Sequence, residues 1–509
     1  MKYLLGIDIG TSSAKVVVID SSGQMLAWAG REYPIRAPQP GWAEQDPADW
    51  LAAAVQCASQ ALRESQIDPN HVAGIGLTGQ MHSMVAVDVH GEPLRPAIIW
   101  ADQRSGPQVK YLTSQIGPTR LAEWTGNPLA SGFMLASWAW LREYEPHLAA
   151  QTRLLMLPKD WVRLCLTGLA GAEPSDASST LLFDPHVRDW SQPVLNQVGL
   201  SRDQLPPISP SAAVAGALLP EIASICGLKA GLPVVYGCSD VAAQALAQGV
   251  VHPGQVSVTI GTGGQLFAPV SEPRHDPQLR VHLFCHALPG IWHHEAAVLS
   301  AGLALRWLRD QVWPSSNYQQ LADAAAQVEA GLDGLFFLPF LAGERTPYMH
   351  PGLRAAFAGL GLRHAQPHLI RAVMEGVVFA LRQALDLMEN LAGPSGVQQR
   401  NRGMLVASGG AAAHPLWLQL QADIFNRPLL VYNSPQATAR GAALLAGMGL
   451  GLYVDQMPYE QSEPDNHITG EKSVLYPDPS RAHRYESAFK DWMIWANQVA
   501  HHYQDEKVK

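Results

Sequence analysis

The 509-residue chain has no block of basic residues, no C-x-x-C pair and no uninterrupted apolar run near 18 residues. Each absence excludes something. With a net charge of −9 and no clustered Lys or Arg, it offers no footprint for a nucleic-acid backbone. The five cysteines, Cys57, Cys165, Cys226, Cys238 and Cys285, are scattered and odd in number. That spacing argues against a disulfide framework and a zinc site, and fits a reducing cytoplasm. No membrane span is expected, and Asp8 interrupts the apolar N-terminal run well short of a secretory signal. A G-x-x-x-x-G-K-[ST] loop is also missing, so any nucleoside triphosphate is held by other means than a Walker loop. A net-negative protein that binds such an anion needs a local positive source, most simply a divalent metal. The length exceeds what one hydrophobic core supports, and two domains of about 250 residues each are expected.

What is present is a repeated turn. Ile7-Asp8-Ile9-Gly10-Thr11-Ser12-Ser13 and Thr259-Ile260-Gly261-Thr262-Gly263-Gly264 lie about half a chain apart. Each sits between apolar runs, the following ones being Lys15 to Asp20 and Gln265 to Val270. This reads as strand, tight turn, strand, twice. Backbone N–H groups and hydroxyls of two such turns, facing each other, can hold a polyphosphate between similar domains; ordinary hairpins are the plain alternative. Elsewhere strand and helix patterns alternate in an α/β order. Helices are predicted over 50–62, 240–248, 368–387, 415–425 and 480–503. Strands are predicted over 72–77, 84–88, 98–100, 234–237, 335–338 and 404–407, with a hinge at 249–254. Three familiar signatures fail. Gly74-Ile75-Gly76-Leu77-Thr78-Gly79 is followed by a strand-like run rather than a helix. Gly237-Cys238-Ser239-Asp240-Val241 lacks the closing glycine of a nucleophile elbow, and His294-Glu295 lacks the second histidine of a zinc-protease helix.

Several residues are candidates for chemistry. Asp8 ends a strand just before the first turn; it either caps that turn or meets a phosphate through Mg²⁺. Asp240 stands at a strand-to-helix junction, as a helix N-cap or as a base taking the proton of an attacking hydroxyl. Gln80-Met81-His82 follows a strand, where a lone histidine is commonly a satisfied loop residue. Trp100-Ala101-Asp102-Gln103-Arg104 puts polar groups beside an aromatic, which suits a polyol but also any surface loop. In Ser408-Gly409-Gly410-Ala411-Ala412-Ala413-His414, small residues admit either a flat adenine ring or close packing.

Together these segments resemble the FGGY family of carbohydrate kinases, most nearly its xylulose-phosphorylating members. The resemblance spans the chain. Beyond the segments above it includes Gly41-Trp42-Ala43-Glu44-Gln45-Asp46-Pro47, Pro158-Lys159-Asp160, Phe284-Cys285-His286-Ala287-Leu288-Pro289-Gly290 and Gly343-Glu344-Arg345-Thr346-Pro347. It implies two actin-like (ribonuclease-H-like) α/β ATPase domains around a cleft. Residues 1–249 would bind the sugar and carry the base, and residues 250–509 would bind nucleotide and end in a helical tail. It implies Asp240 as catalytic base, with Gln80, Met81, His82 and Asp102 at the sugar. Asp8 would serve Mg²⁺; Thr11, Ser12, Ser13, Lys15, Gly261, Thr262 and Gly263 would serve the phosphates. Gly409, Gly410 and His414 would lie by the adenosine. The expected reaction is ATP plus D-xylulose giving ADP and D-xylulose 5-phosphate, in a cytoplasmic enzyme of a family whose members often form homodimers. Val241 and Ala101 stand where such members carry Asn, and Ser137 replaces a Lys. Trp-Ala-Asp is also familiar from gluconate-phosphorylating members, so a gluconokinase or another sugar or polyol kinase is the alternative. A non-kinase ATPase of this fold, a chaperone or filament protein, would need a peptide-binding domain or polymer contact, and no sequence feature suggests either.

Overall fold

The structure is a computed structural model that describes residues 2–314, 316–331, 334–393, 403–432, 434, 436–453 and 472–505. Two seven-stranded sheets form its framework. The first comprises β1 (Tyr3–Ile9), β2 (Ser13–Asp20), β3 (Met25–Glu32), β4 (Val72–Gly79), β5 (Val214–Ala217), β6 (Pro233–Val235) and β7 (Cys238–Ser239). Its order is β5-β6-β4-β1-β2-β3, with β7 also on β4. The second comprises β8 (Val256–Ile260), β9 (Gly264–Val270), β10 (His282–Cys285), β11 (Trp292–Val298), β12 (Leu405–Ser408), β13 (Leu429–Tyr432) and β14 (Lys472–Leu475), in the order β10-β11-β9-β8-β12-β13-β14. The halves repeat one plan. β1 pairs antiparallel with β2 and parallel with β4. β8 pairs antiparallel with β9 and parallel with β12. The two Gly-Thr turns are thus equivalent hairpins at the centres of two actin-like α/β sheets.

Strand periodicity explains where the site lies. Successive side chains alternate between faces, and β1 is buried on both. Leu5, Ile7 and Ile9 join the core under helix α1 (Pro47–Ser65). Pro47 opens α1, the Asp46 carboxylate accepts from the Ala48 N–H, and Trp50, Ala54, Ala58, Ala61 and Leu62 recur at helical spacing on the buried face. Leu4, Val17 and Ile19 face the other way, against Ala439, Ala443, Leu444 and Ala446 of α6 (Ala437–Gly449). Asp8 follows Leu4 and Gly6 in the alternation, so it belongs to that second face, between the sheets.

The remaining labelled helices are α2 (Asp240–Gln248), α3 (Gly302–Trp307), α4 (Gln366–Leu391), α5 (Pro415–Phe425) and α7 (Pro479–Asp505). α6 comes from the last quarter of the chain yet packs on β1 and β4 of the first sheet and across α2. The approach is closer than side chains permit: a Cβ on Gly6 would lie 1.8 Å from the Ala439 carbonyl oxygen, and one on Gly441 1.7 Å from that of Ala243.

Some expected strands leave the central sheets. Val85–Val87 pairs with Leu154–Met156, and Ala97–Ile98 with Glu44–Gln45. The second run stops before Trp100, whose indole is drawn off to Thr11 Oγ1 at 2.8 Å. Among the described residues, Phe336–Leu338 pairs only with Ala356–Ala358, as a separate two-stranded sheet. His294-Glu295 lies on β11, and Gly74 to Gly79 lies wholly inside β4, so neither helix-dependent signature exists.

Candidate active site

The first turn is built by β1 and β2. The Gly10 N–H donates to the Ser13 carbonyl at 3.1 Å, and the Tyr33 hydroxyl bonds the Gly10 carbonyl. Thr11 and Ser13 are half-buried and Ser12 is exposed. Asp8 sits opposite Lys15 in the ladder. Burial pushes its carboxyl up to about 7 against the opposing pull of Lys15, and Oδ1 is sealed from solvent with no hydrogen-bond partner. Gln80 ties this turn to the next segment: its Nε2 donates to Gln45 Oε1 at 2.9 Å, and Gln45 Nε2 donates to the Thr11 carbonyl at 2.7 Å. Asp102 is fully engaged in its loop. Its Oδ2 accepts from the Ala43 N–H at 2.6 Å, its Oδ1 from the Arg104 N–H at 2.8 Å, and the Arg104 guanidinium lies against both.

His82 has a left-handed φ of 68° and stacks on Phe133, ring centroids 4.1 Å apart. Its Nδ1 lies 2.8 Å from the Ser179 carbonyl oxygen. A carbonyl only accepts, so Nδ1 carries the hydrogen. Burial holds the ring neutral, its pKa pushed down to about 4, which leaves Nε2 as an acceptor. Met81 is buried beside it.

Asp240 is the first residue of α2, after Ser239, so it is not the helix cap. Its Oδ1 accepts from the Val241 N–H at 2.8 Å. Burial, then the negative charges of Asp8 and Glu295, raise its pKa to about 8. The strand before it rests on a buried ionic cluster. Lys159 Nζ lies 2.7 Å from Asp160, 3.3 Å from Glu173 and 3.2 Å from Asp176, all wholly buried. From the same segment, Ser175 Oγ accepts from the Ser239 N–H at 3.0 Å, and Arg163 donates to the Tyr236 carbonyl at 2.8 Å. Ser179, which holds His82, is four residues on. One rigid segment therefore positions both Asp240 and His82.

In the second lobe, Gly261 and Thr262 are exposed, and the Gly261 N–H donates to the Gly263 carbonyl at 2.9 Å. Beside this turn opens a cavity of about 390 Å³, lined among others by Arg306, Tyr318, Gly410, His414 and Trp417. Gly409 adopts φ 85°, where an added Cβ would lie 2.6 Å from the Ile260 carbonyl oxygen; a Cβ on Gly410 would meet open space. His414 Nδ1 accepts from the Leu416 N–H at 3.2 Å, capping α5. The second turn, Gly410 and His414 are thus brought to one cavity. Asp240 lies close enough to Asp8 to feel its charge, while Gln80 and Asp102 are bonded to the loops they support.

Among the described residues no group of three or more His, Cys, Asp or Glu could hold a metal ion by itself. The orphaned, buried oxygen of Asp8 beside the turn is a hard donor that would suit Mg²⁺.

The sequence pattern of the FGGY family of carbohydrate kinases matches as its N-terminal domain over residues 3–247 and as its C-terminal domain over residues 256–450. The chain belongs to the FGGY family of carbohydrate kinases. It is 33% identical to the xylulose kinase of Bacillus subtilis (strain 168), covering 96% of this chain and 95% of that protein. The same organism's gluconokinase is 31% identical, with coverages of 89% and 87%. The crystal structure of xylulose kinase from Rhodospirillum rubrum superimposes with a TM-score of 0.89 at 28% identity, over 98% of this chain and 99% of that one. As a member of this family the chain is a sugar phosphotransferase.

Two features beside the candidate site are not among the residues singled out from sequence. Glu295 was considered only as part of a failed zinc motif. In a strand, however, its alternation with Ala296 and Val298 turns it away from the core, a signal available from period alone. The wall of the cavity formed by Arg306, Tyr318 and Trp417 comes from three separate helices, and no local pattern joins them.

Proposed function

We propose that this FGGY kinase transfers the γ-phosphoryl group of ATP to D-xylulose, giving ADP and D-xylulose 5-phosphate. The observation that carries the reading is the Asp240 carboxylate: half-buried, its pKa raised to about 8, at the start of a helix between the two lobes. A group tuned near neutrality accepts a proton and later returns it to solvent. Residues 1–249 bind sugar in this reading and residues 250–509 bind nucleotide. Nε2 of His82 accepts from a sugar hydroxyl while Met81 packs on the carbon skeleton. Gln80 and Asp102 act by positioning these neighbours.

Asp240 takes the proton of the attacking hydroxyl as its oxygen bonds to phosphorus. Amides and hydroxyls of Thr11, Ser12, Ser13, Gly261, Thr262 and Gly263, with Lys15, face the phosphates and absorb charge on the transferring group. Gly409, Gly410 and His414 border the adenosine. Asp8 would hold Mg²⁺, which when bound neutralises phosphate charge. Closure of the lobes excludes water, the competing acceptor.

A gluconokinase is the second reading, favoured by the likeness to the Bacillus subtilis enzyme. The test is coupled ADP release with D-xylulose, L-ribulose, L-xylulose, D-gluconate and glycerol. D-Xylulose is expected to show the highest kcat/KM. Turnover of gluconate with none of D-xylulose would replace the first reading by the second.

A further inference from the structure

A carboxylate that no motif points to stands across the cleft from Asp240. Glu295 lies in β11, paired in register with Phe267 of β9 on one side and His282 of β10 on the other. In-register neighbours share a face, and this face looks toward the first lobe. Phe267 packs in one cluster with Ala245 and Val241 of α2. His282 stacks on Phe133, the ring beneath His82, with centroids 6.3 Å apart, and Phe284 lies 6.0 Å from His82. Glu295 is therefore flanked by the helix that begins with Asp240 and by the ring stack that supports His82. Its negative charge is felt at Asp240. Its Oε2 is sealed from solvent and has no hydrogen-bond partner.

A buried carboxylate oxygen without a donor costs folding free energy. Arg345 offsets part of this cost; its exposed guanidinium follows Glu344 on a loop whose Thr346 N–H is bonded to the Ala297 carbonyl, two residues from Glu295. It gives Oε2 no hydrogen bond.

We propose that Glu295 is a substrate-facing residue of the acceptor site: it accepts a hydrogen bond from a sugar hydroxyl and selects neutral polyhydroxy ketoses over sugar acids. The proposal rests on the sugar-kinase reading above and deepens it by naming the substrate class. A hydroxyl supplies the donor that Oε2 lacks. A sugar acid would bring a further negative charge beside Asp240, Asp8 and Glu295, and like charges close together in a poorly solvated cleft repel strongly. The second lobe thereby contributes to sugar choice as well as to nucleotide binding.

The test compares wild type, Glu295→Gln and Glu295→Ala by ADP release with D-xylulose and D-gluconate, alongside thermal denaturation. Glu295→Ala is expected to raise KM for D-xylulose about tenfold or more, leaving KM for ATP within about twofold. In Glu295→Gln, which keeps the shape and loses the charge, kcat/KM for gluconate relative to xylulose is expected to rise about tenfold. Both variants are expected to fold and to melt near the wild-type temperature, because Glu295 is half-buried and its charge is partly offset by Arg345. An unchanged sugar KM and gluconate ratio in folded variants overturns the proposal, as does an equal rise in both KM values. If wild type turns over gluconate alone, the xylulose reading and the selection for ketoses both fall. If wild type uses xylulose and the variants match it, only the role of Glu295 falls.

Discussion

At the scale of single residues, the cleft concentrates carboxylates whose pKa values are raised chiefly by burial. Asp8 and Glu295 sit at about 7 and Asp240 at about 8. Only the ionised form of Asp240 can take a proton, so activity should fall as pH drops through its pKa. The kcat/KM profile of the free enzyme is expected to show an acid limb near pH 8. Asp240→Asn should abolish that limb and lower kcat by about 10²–10⁴-fold, with ATP affinity retained in equilibrium binding. A near-normal rate in that variant would remove Asp240 from the chemistry. The histidine of the acceptor site behaves oppositely. His82 stays neutral down to about pH 4, so its acceptor nitrogen is available throughout the working range.

At the scale of elements, a pair of short segments carries much of the positioning. Pro158 to Asp160 and Glu173 to Asp176 bury Lys159 among three carboxylates, and the second segment leads directly into the contacts with Ser239 and His82. Removing the cation would strand those charges. Lys159→Met is expected to destabilise the protein by about 3–5 kcal/mol, measurable by urea unfolding; a loss below about 1 kcal/mol would show that the cluster is relieved by other means. Elements of this kind also mark where the sequence was legible. The two hairpins were readable because strand, Gly-Thr turn and strand are local signals; Asp8 was singled out by its place before the first turn and Asp240 by a strand-to-helix junction. The strand expected to reach Trp100 stops at Ile98, and the Trp100 indole instead donates to Thr11 Oγ1, 89 residues away in sequence. Asp102 was expected near the sugar, and nothing in Trp100 to Arg104 foretells the hydrogen bond that the Ala43 N–H makes to its Oδ2. The face of Glu295 follows from strand alternation, but its meaning comes from Asp240, His282 and Phe267 in other elements.

At the scale of the whole molecule, the division of the sequence near residue 249 is not a division of the packing. α6 covers β1 and β4, and Gly441 brings it against the backbone of α2. The helix over 437–449 was not among those expected from sequence, and nothing local to it tells which sheet buries it. Since backbone meets backbone where α2 and α6 cross, side chains cannot cushion the contact, and motion of the lobes is expected to turn about that crossing. The same contact has a consequence for how the polypeptide is made. On a ribosome the first half emerges with Leu4, Val17, Ile19 and Val235 uncovered, and the helix that covers them is translated some two hundred residues later. A fragment ending at residue 249 is expected to aggregate when produced alone and to become soluble when a 250–509 fragment is co-expressed, as read by sedimentation of lysates. A soluble, monomeric first fragment would mean that this surface needs no cover. The N-terminal sheet is therefore completed by a helix, Ala437–Gly449, that lies far downstream of its own strands in sequence.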